Sequence, residues 1–119
     1  MKTKGAKPPR TGLHREYFRD GSLASVGRYA RGNRTGVWKY YLRNGQLRAV
    51  GKFAAGKMVG VWKWHRESGE LWQVGTFKAG VQHGKWTRYA RSGKLEAEFM
   101  FVAGRKSPVK KTPARRNRA

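Results

Sequence analysis

The side chains of this sequence that could do chemistry are few and scattered. His14, His65 and His83 each stand alone, and the nearest carboxylate pairs, Glu67 with Glu70 and Glu96 with Glu98, have no nucleophile or partner base beside them. General acid–base or covalent catalysis needs such partners within hydrogen-bond reach. The stretch Gly80-Val81-Gln82-His83-Gly84-Lys85 is one residue short of a phosphate-cradling loop, and Trp86 follows where a Ser or Thr is needed. There is no cysteine, which removes disulfides and thiolate metal sites. The expectation is a non-enzymatic chain with no catalytic residue, metal site, cofactor or small-molecule substrate.

The cations offer more. Against 6 Asp and Glu stand 28 Lys and Arg, a formal charge of +22, and such a balance selects polyanionic partners: nucleic acid, an anionic membrane surface or an acidic protein. Residues 1–11 and 105–119 contain no acid. We expect 1–11 to be a basic disordered arm and 105–119 a basic, Pro-containing tail that offers Arg105, Lys106, Lys110, Lys111, Arg115, Arg116 and Arg118 to phosphates. Ser107-Pro108-Val109-Lys110-Lys111 and Thr112-Pro113-Ala114-Arg115-Arg116 repeat one Ser/Thr-Pro-x-basic-basic pattern similar to linker-histone tails, in which proline keeps the backbone extended while cations meet phosphates. A solvated tail that serves only solubility is the alternative.

Between these ends the chain is periodic. From Gly12 it divides without a gap into four 24-residue units, 12–35, 36–59, 60–83 and 84–107. Gly opens each unit at Gly12, Gly36, Gly60 and Gly84; Gly21, Gly45, Gly69 and Gly93 form a second column, and Gly32, Gly56, Gly80 and Gly104 a third. Trp38, Trp62 and Trp86 align with His14, the Leu column is Leu23, Leu47, Leu71 and Leu95, and Tyr29, Phe53, Phe77 and Phe101 share another position. A period of this length with position-specific Gly, Leu and aromatic columns marks a repeat fold, each unit burying its apolar side on its neighbours.

Each unit reads as a β-hairpin. Asp20-Gly21, Asn44-Gly45, Ser68-Gly69 and Ser92-Gly93 supply residues suited to two-residue loops. With Asn44-Gly45 as the loop, Leu42 faces Leu47, Tyr40 faces Ala49 and Trp38 faces Gly51, all on one side. The same rule sets Trp62 opposite Gly75, Trp86 opposite Phe99 and His14 opposite Gly27. The expected fold is all-β: an open, twisted, antiparallel single-layer sheet of about eight short strands. Trp38, Trp62, Trp86, Phe53, Phe77, Phe101, Gly45 and Gly69 are structural repeat residues on this view, although alternating rings and cations would also suit base stacking. The other side carries the candidate binding face: Arg15, Tyr17, Arg28, Lys39, Tyr41, Arg48, Lys52, Lys63, His65, Trp72 and Tyr89.

The unit G-x-W-x-x-Y-x-x-x-G-x-L-x-x-x-G-x-F-x-x-G resembles the bacterial MORN-repeat-variant family over residues 12–107. The resemblance implies a hairpin-repeat sheet acting as a scaffold or binding module, in some members as an antitoxin or immunity component of YwqK type. It therefore points to a protein partner, an acidic toxin or a scaffold client. Related eukaryotic MORN repeats are associated with acidic phospholipids. Nucleic acid held by the tails and the Tyr/Lys/Arg face is the alternative, and anionic lipid a third. No secretory signal and no apolar run near membrane-spanning length is found, so the expected location is the cytoplasm.

Overall fold

The structure, a computed structural model, describes residues 10–108. Ten strands follow one another: β1 (Gly12–Tyr17), β2 (Leu23–Ala30), β3 (Asn33–Tyr41), β4 (Leu47–Ala54), β5 (Lys57–His65), β6 (Leu71–Lys78), β7 (Val81–Gln82), β8 (Gly84–Tyr89), β9 (Leu95–Val102) and β10 (Arg105–Pro108). They form one open antiparallel sheet in sequence order, with β7 paired to β6 beside β8. Among the described residues there is no helix. The count exceeds eight for two local reasons. His83 interrupts the strand that would join β7 to β8, its N–H bonded to Thr76 O at 2.9 Å. The last turn also leads into one further strand, β10, so Arg105 and Lys106 sit on the sheet and not in a tail. Lys110, Lys111, Arg115, Arg116 and Arg118 lie outside the described residues.

The two kinds of turn exchange roles relative to the sequence expectation. Gly45 N–H bonds Leu42 O and Leu42 N–H bonds Gln46 O, both at 2.9 Å, closing a three-residue loop over Arg43-Asn44-Gly45. Gly45 has φ 90° whereas Asn44 is not in the left-handed region, the signature of a type I turn ending in a glycine bulge. The two-residue loops lie instead at the junctions between units. Ala30 pairs with Asn33 across Arg31-Gly32, and Arg31 and Gly32 have φ 53° and 81°. Two consecutive positive φ values make these the tight turns that suit strand twist.

The three-residue loop changes the pairing beside it. Leu47 stands opposite Tyr41, not Leu42, and a bulge then restores Tyr40 opposite Ala49 and Trp38 opposite Gly51. The extra residue is Arg48, with Trp72 its counterpart one unit on. His14 opposite Gly27, Trp62 opposite Gly75 and Trp86 opposite Phe99 hold as expected.

The core is the contact between successive units. Trp38, Trp62 and Trp86 are 0%, 2% and 5% exposed. Each indole lies over the glycine of the preceding unit: a Cβ at Gly27, Gly51 or Gly75 would fall inside the ring of Trp38, Trp62 or Trp86 respectively. The Trp38, Trp62 and Trp86 Nε1–H groups donate to Arg28 O, Lys52 O and Thr76 O at 3.1, 3.0 and 3.0 Å, which satisfies the one polar atom of a buried indole. Tyr29, Phe53 and Phe77 meet these indoles edge to face, with centroids 5.4, 5.2 and 5.2 Å apart. Burying a ring of this size stabilises the array by up to a few kcal/mol.

This contact explains both end units. Phe99 replaces glycine in the last unit because Lys110 stands where a fifth tryptophan would have to cover it, and His14 replaces tryptophan in the first because no glycine precedes it at the matching distance. Each departure is one half of a contact whose other half does not exist, as expected for the terminal units of a repeat array.

Candidate functional site

The two faces of the sheet differ in what they have left to offer. On the tryptophan face, Tyr40 and Trp64 fill the gaps between indoles, stacking against Trp38 at 6.2 Å and Trp86 at 5.4 Å. Burial pushes the Tyr40 hydroxyl above its ordinary pKa, against a smaller opposing pull from Arg34. The Arg34 guanidinium lies 4.9 Å from the Trp38 ring centre, a cation–π contact. Near the last unit, Arg88 sits 5.4 Å from the Trp72 ring and 5.6 Å from Phe99, with its Nη2 donating to Gln73 Oε1 at 3.0 Å. The rings on this side are engaged with one another or with cations of the same chain, which leaves little free ring surface on which a base could stack.

The second face carries the other alternation of the same strands. Arg15 pairs with Val26, Lys39 with Val50, Lys63 with Val74, Arg28 with Leu13 and Lys52 with Val37. Tyr17, Tyr41, His65 and Tyr89 pair with Leu23, Leu47, Leu71 and Leu95. His65 is also fixed through Nδ1, 3.1 Å from Gly69 O. Nine of the eleven candidate face residues thus lie on this side. Arg48 and Trp72 do not: the bulge turns them towards the tryptophan face, Arg48 beside Tyr40, Phe53 and Trp64, and Trp72 beside Arg88 and Phe99.

Sequence reasoning missed a recurring exposed apolar row on the second face. Leu13, Val37 and Val61 are 47%, 51% and 55% exposed and occupy one column directly after the opening glycine. Shallow hollows run beside them, one bounded by Leu13, Val26, Arg28, Val37 and Lys39 and the next by Val37, Val50, Lys52, Val61 and Lys63. The signal was available: an apolar column that recurs but alternates out of phase with the tryptophans has to face the other way. In the fourth unit the column becomes Lys85, whose Nζ lies 3.8 Å from Glu98, so the apolar row ends after the third unit. Among the described residues no three His, Asp or Glu side chains gather as a metal-ligand set, and no helix is long and apolar enough to cross a membrane.

The MORN repeat variant family matches this chain three times, over residues 34–54, 58–79 and 82–103, more than half its length. The chain belongs to that family. The matched segments contain Phe53, Phe77 and Phe101 and the tryptophans Trp38, Trp62 and Trp86, and all but the last two residues of the first unit, which has His14 in the tryptophan column, lie outside them. MORN repeats are non-catalytic binding and scaffolding modules. A comparison with curated proteins finds no match. Among solved structures, TarM is similar over 91% of this chain at 11% identity, with a TM-score of 0.51, and the GtfA/B complex bound to UDP and GlcNAc over 88% at 12% identity, with a TM-score of 0.39. The chain spans 20% of the first and 25% of the second. The likeness to TarM is one of fold.

Proposed function

We propose that this MORN-variant array is a cytoplasmic docking module whose second face binds a protein partner with an acidic surface. The observation that carries the proposal is the exposed row Leu13, Val37 and Val61 set among Arg15, Arg28, Lys39, Lys52 and Lys63. An apolar strip gives area to bury, and the cations around it select and steer an acidic counterpart. An antitoxin-like role, with an acidic toxin as the partner, is the narrower form of the same proposal; a scaffold client of like charge fits the face equally.

The test is affinity capture from the cells that make the protein, comparing the wild-type chain with V37S/V61S. These substitutions touch no indole contact, so the fold is expected to persist. A partner of acidic isoelectric point retained by the wild type and lost by the variant supports the proposal. A partner retained by both would place the docking site elsewhere.

A further inference from the structure

The charges of the described residues are divided between the two long edges of the sheet. One edge holds the unit-to-unit junction turns, the other the three-residue hairpin loops. In the junction-side halves of the units, residues 10–13, 27–37, 51–61, 75–85 and 99–108, there are ten Lys and Arg and no acid; in the hairpin-side halves there are ten Lys and Arg and all 6 acids. Asp20, Glu67 and Glu70 lie in or beside the hairpin loops, and Glu98, in the middle of β9, is the acid nearest the junctions.

The junction edge is also built as a regular line. Gly32, Gly56, Gly80 and Gly104 N–H groups bond Arg10 O, Arg34 O, Met58 O and Gln82 O at 2.8, 3.0, 2.9 and 3.1 Å. Each turn is thereby tied to the strand leaving the turn before it, and turns recur every two strands, roughly 10 Å apart. Arg10, Arg31, Lys57, Lys78 and Arg105 are exposed along this line, whereas the Lys106 Nζ turns inward over the Phe99 ring, 4.4 Å from its centre. The Lys57 stem rests against Gly80, its Cβ 3.6 Å from where a glycine Cβ would be, so part of the row is held in place by packing. The described chain begins at this edge, where the Arg10 carbonyl accepts from Gly32 N–H, whereas β10 starts at the edge with Arg105 and has reached the middle of the sheet at Pro108, opposite Phe99.

We propose that this edge is a track for the phosphate backbone of duplex nucleic acid, independent of whatever docks on the second face. A line of cations along a thin sheet matches a line of phosphates, whereas a membrane surface would engage a broad face. Duplex is favoured over single strands because the ring column nearest this edge, Tyr29, Phe53, Phe77 and Phe101, is packed against the indoles and leaves no stacking platform. Recognition through phosphates alone carries no sequence preference. Five cations on the track set a slope of about −4.5 for the logarithm of affinity against the logarithm of salt.

The experiment is fluorescence anisotropy of the full chain on a random-sequence DNA duplex across a salt series, with two charge-matched variants whose folding is checked by thermal melting. K57E/K78E reverses the junction edge, and R43E/K94E makes the same net change on the hairpin edge. The junction variant is expected to lose at least tenfold in affinity and to flatten the salt slope by about two, and the hairpin variant to lose no more than about threefold. Equal losses in both variants, or none in either, overturn the track in favour of diffuse charge or the terminal stretches. Tighter binding to single strands than to duplex overturns the choice of ligand. Junction-dependent binding to phosphatidylserine vesicles without duplex binding would assign the edge to lipid.

Discussion

The two faces of this sheet are made by alternate residues of the same strands, yet one is closed and the other open. On the tryptophan face each of Trp38, Trp62 and Trp86 covers a glycine, donates to a carbonyl and meets a ring of the unit before it, so its area and its polar atom are both used within the chain. On the second face, Val37 and Val61 recur with the same regularity but remain more than half exposed. Recurrence alone therefore does not mark a core position. What separates the faces is whether the neighbouring unit supplies the complement, a glycine for an indole on one side and nothing for the valines on the other.

The sharpest way to break the closed face is Trp62→Ala, which removes a buried indole touching Tyr40, Phe53 and Phe77. A loss of about 3–5 kcal/mol is expected, read by chemical denaturation. Gly51→Ala attacks the same contact from the other side. Its methyl group would have to displace the Trp62 ring, and a loss of about 1–3 kcal/mol is expected, while Gly93→Ala, with open space around its Cβ, should cost less and only through its φ of 92°. At the junction turns the sign reverses: Ala55, held at φ 50°, should gain about 0.5–1 kcal/mol on replacement by glycine. On the open face, V37S/V61S should change stability by less than about 0.5 kcal/mol per site while reducing partner capture.

The smallest effect concerns Asp20. The Ser22 hydroxyl and then the Ser22 N–H hold its carboxylate below the ordinary pKa. The folded value is the lower one, so its contribution is present above the ordinary carboxylate range and is lost as pH falls through the depressed value. Asp20→Asn should remove that acid-side dependence and leave the neutral-pH melting temperature nearly unchanged, since the group is fully exposed.

Much of the fold was legible because periodicity fixes columns and columns fix partners. The pairs Trp38–Gly51, Trp62–Gly75 and Trp86–Phe99 follow from counting away from the loop. What counting could not give is the partner across the unit boundary. That Trp62 lies over Gly51 depends on the irregularity between β4 and β5, where the pairing steps from Val50–Lys63 to Lys52–Val59 and leaves Gly51 facing Gly60–Trp62, and counting from the turns does not reveal that step. The turns were exchanged for a related reason: Asn-Gly suits a two-residue loop or the end of a three-residue loop equally well, and Arg31-Gly32 or Ala55-Gly56 do not look like tight turns because Arg and Ala adopt positive φ only under constraint. The bulge that follows from the longer loop moved Arg48 and Trp72 off the candidate face. The row Leu13, Val37 and Val61 could be assigned to the second face from its alternation with the tryptophans, but its exposure, 47%, 51% and 55%, is known only from the structure.

The column tryptophans are locked into the repeat by their indole N–H bonds as well as by packing, whereas Trp64 and Trp72 are held by ring contacts alone, a difference that indole N–H exchange in a nitrogen-15 NMR spectrum tests directly. Trp38, Trp62 and Trp86, buried and bonded to carbonyls of the preceding unit, should exchange slowly, and Trp64 and Trp72 quickly. Five indoles exchanging alike, or slow exchange confined to Trp64 and Trp72, would contradict the account.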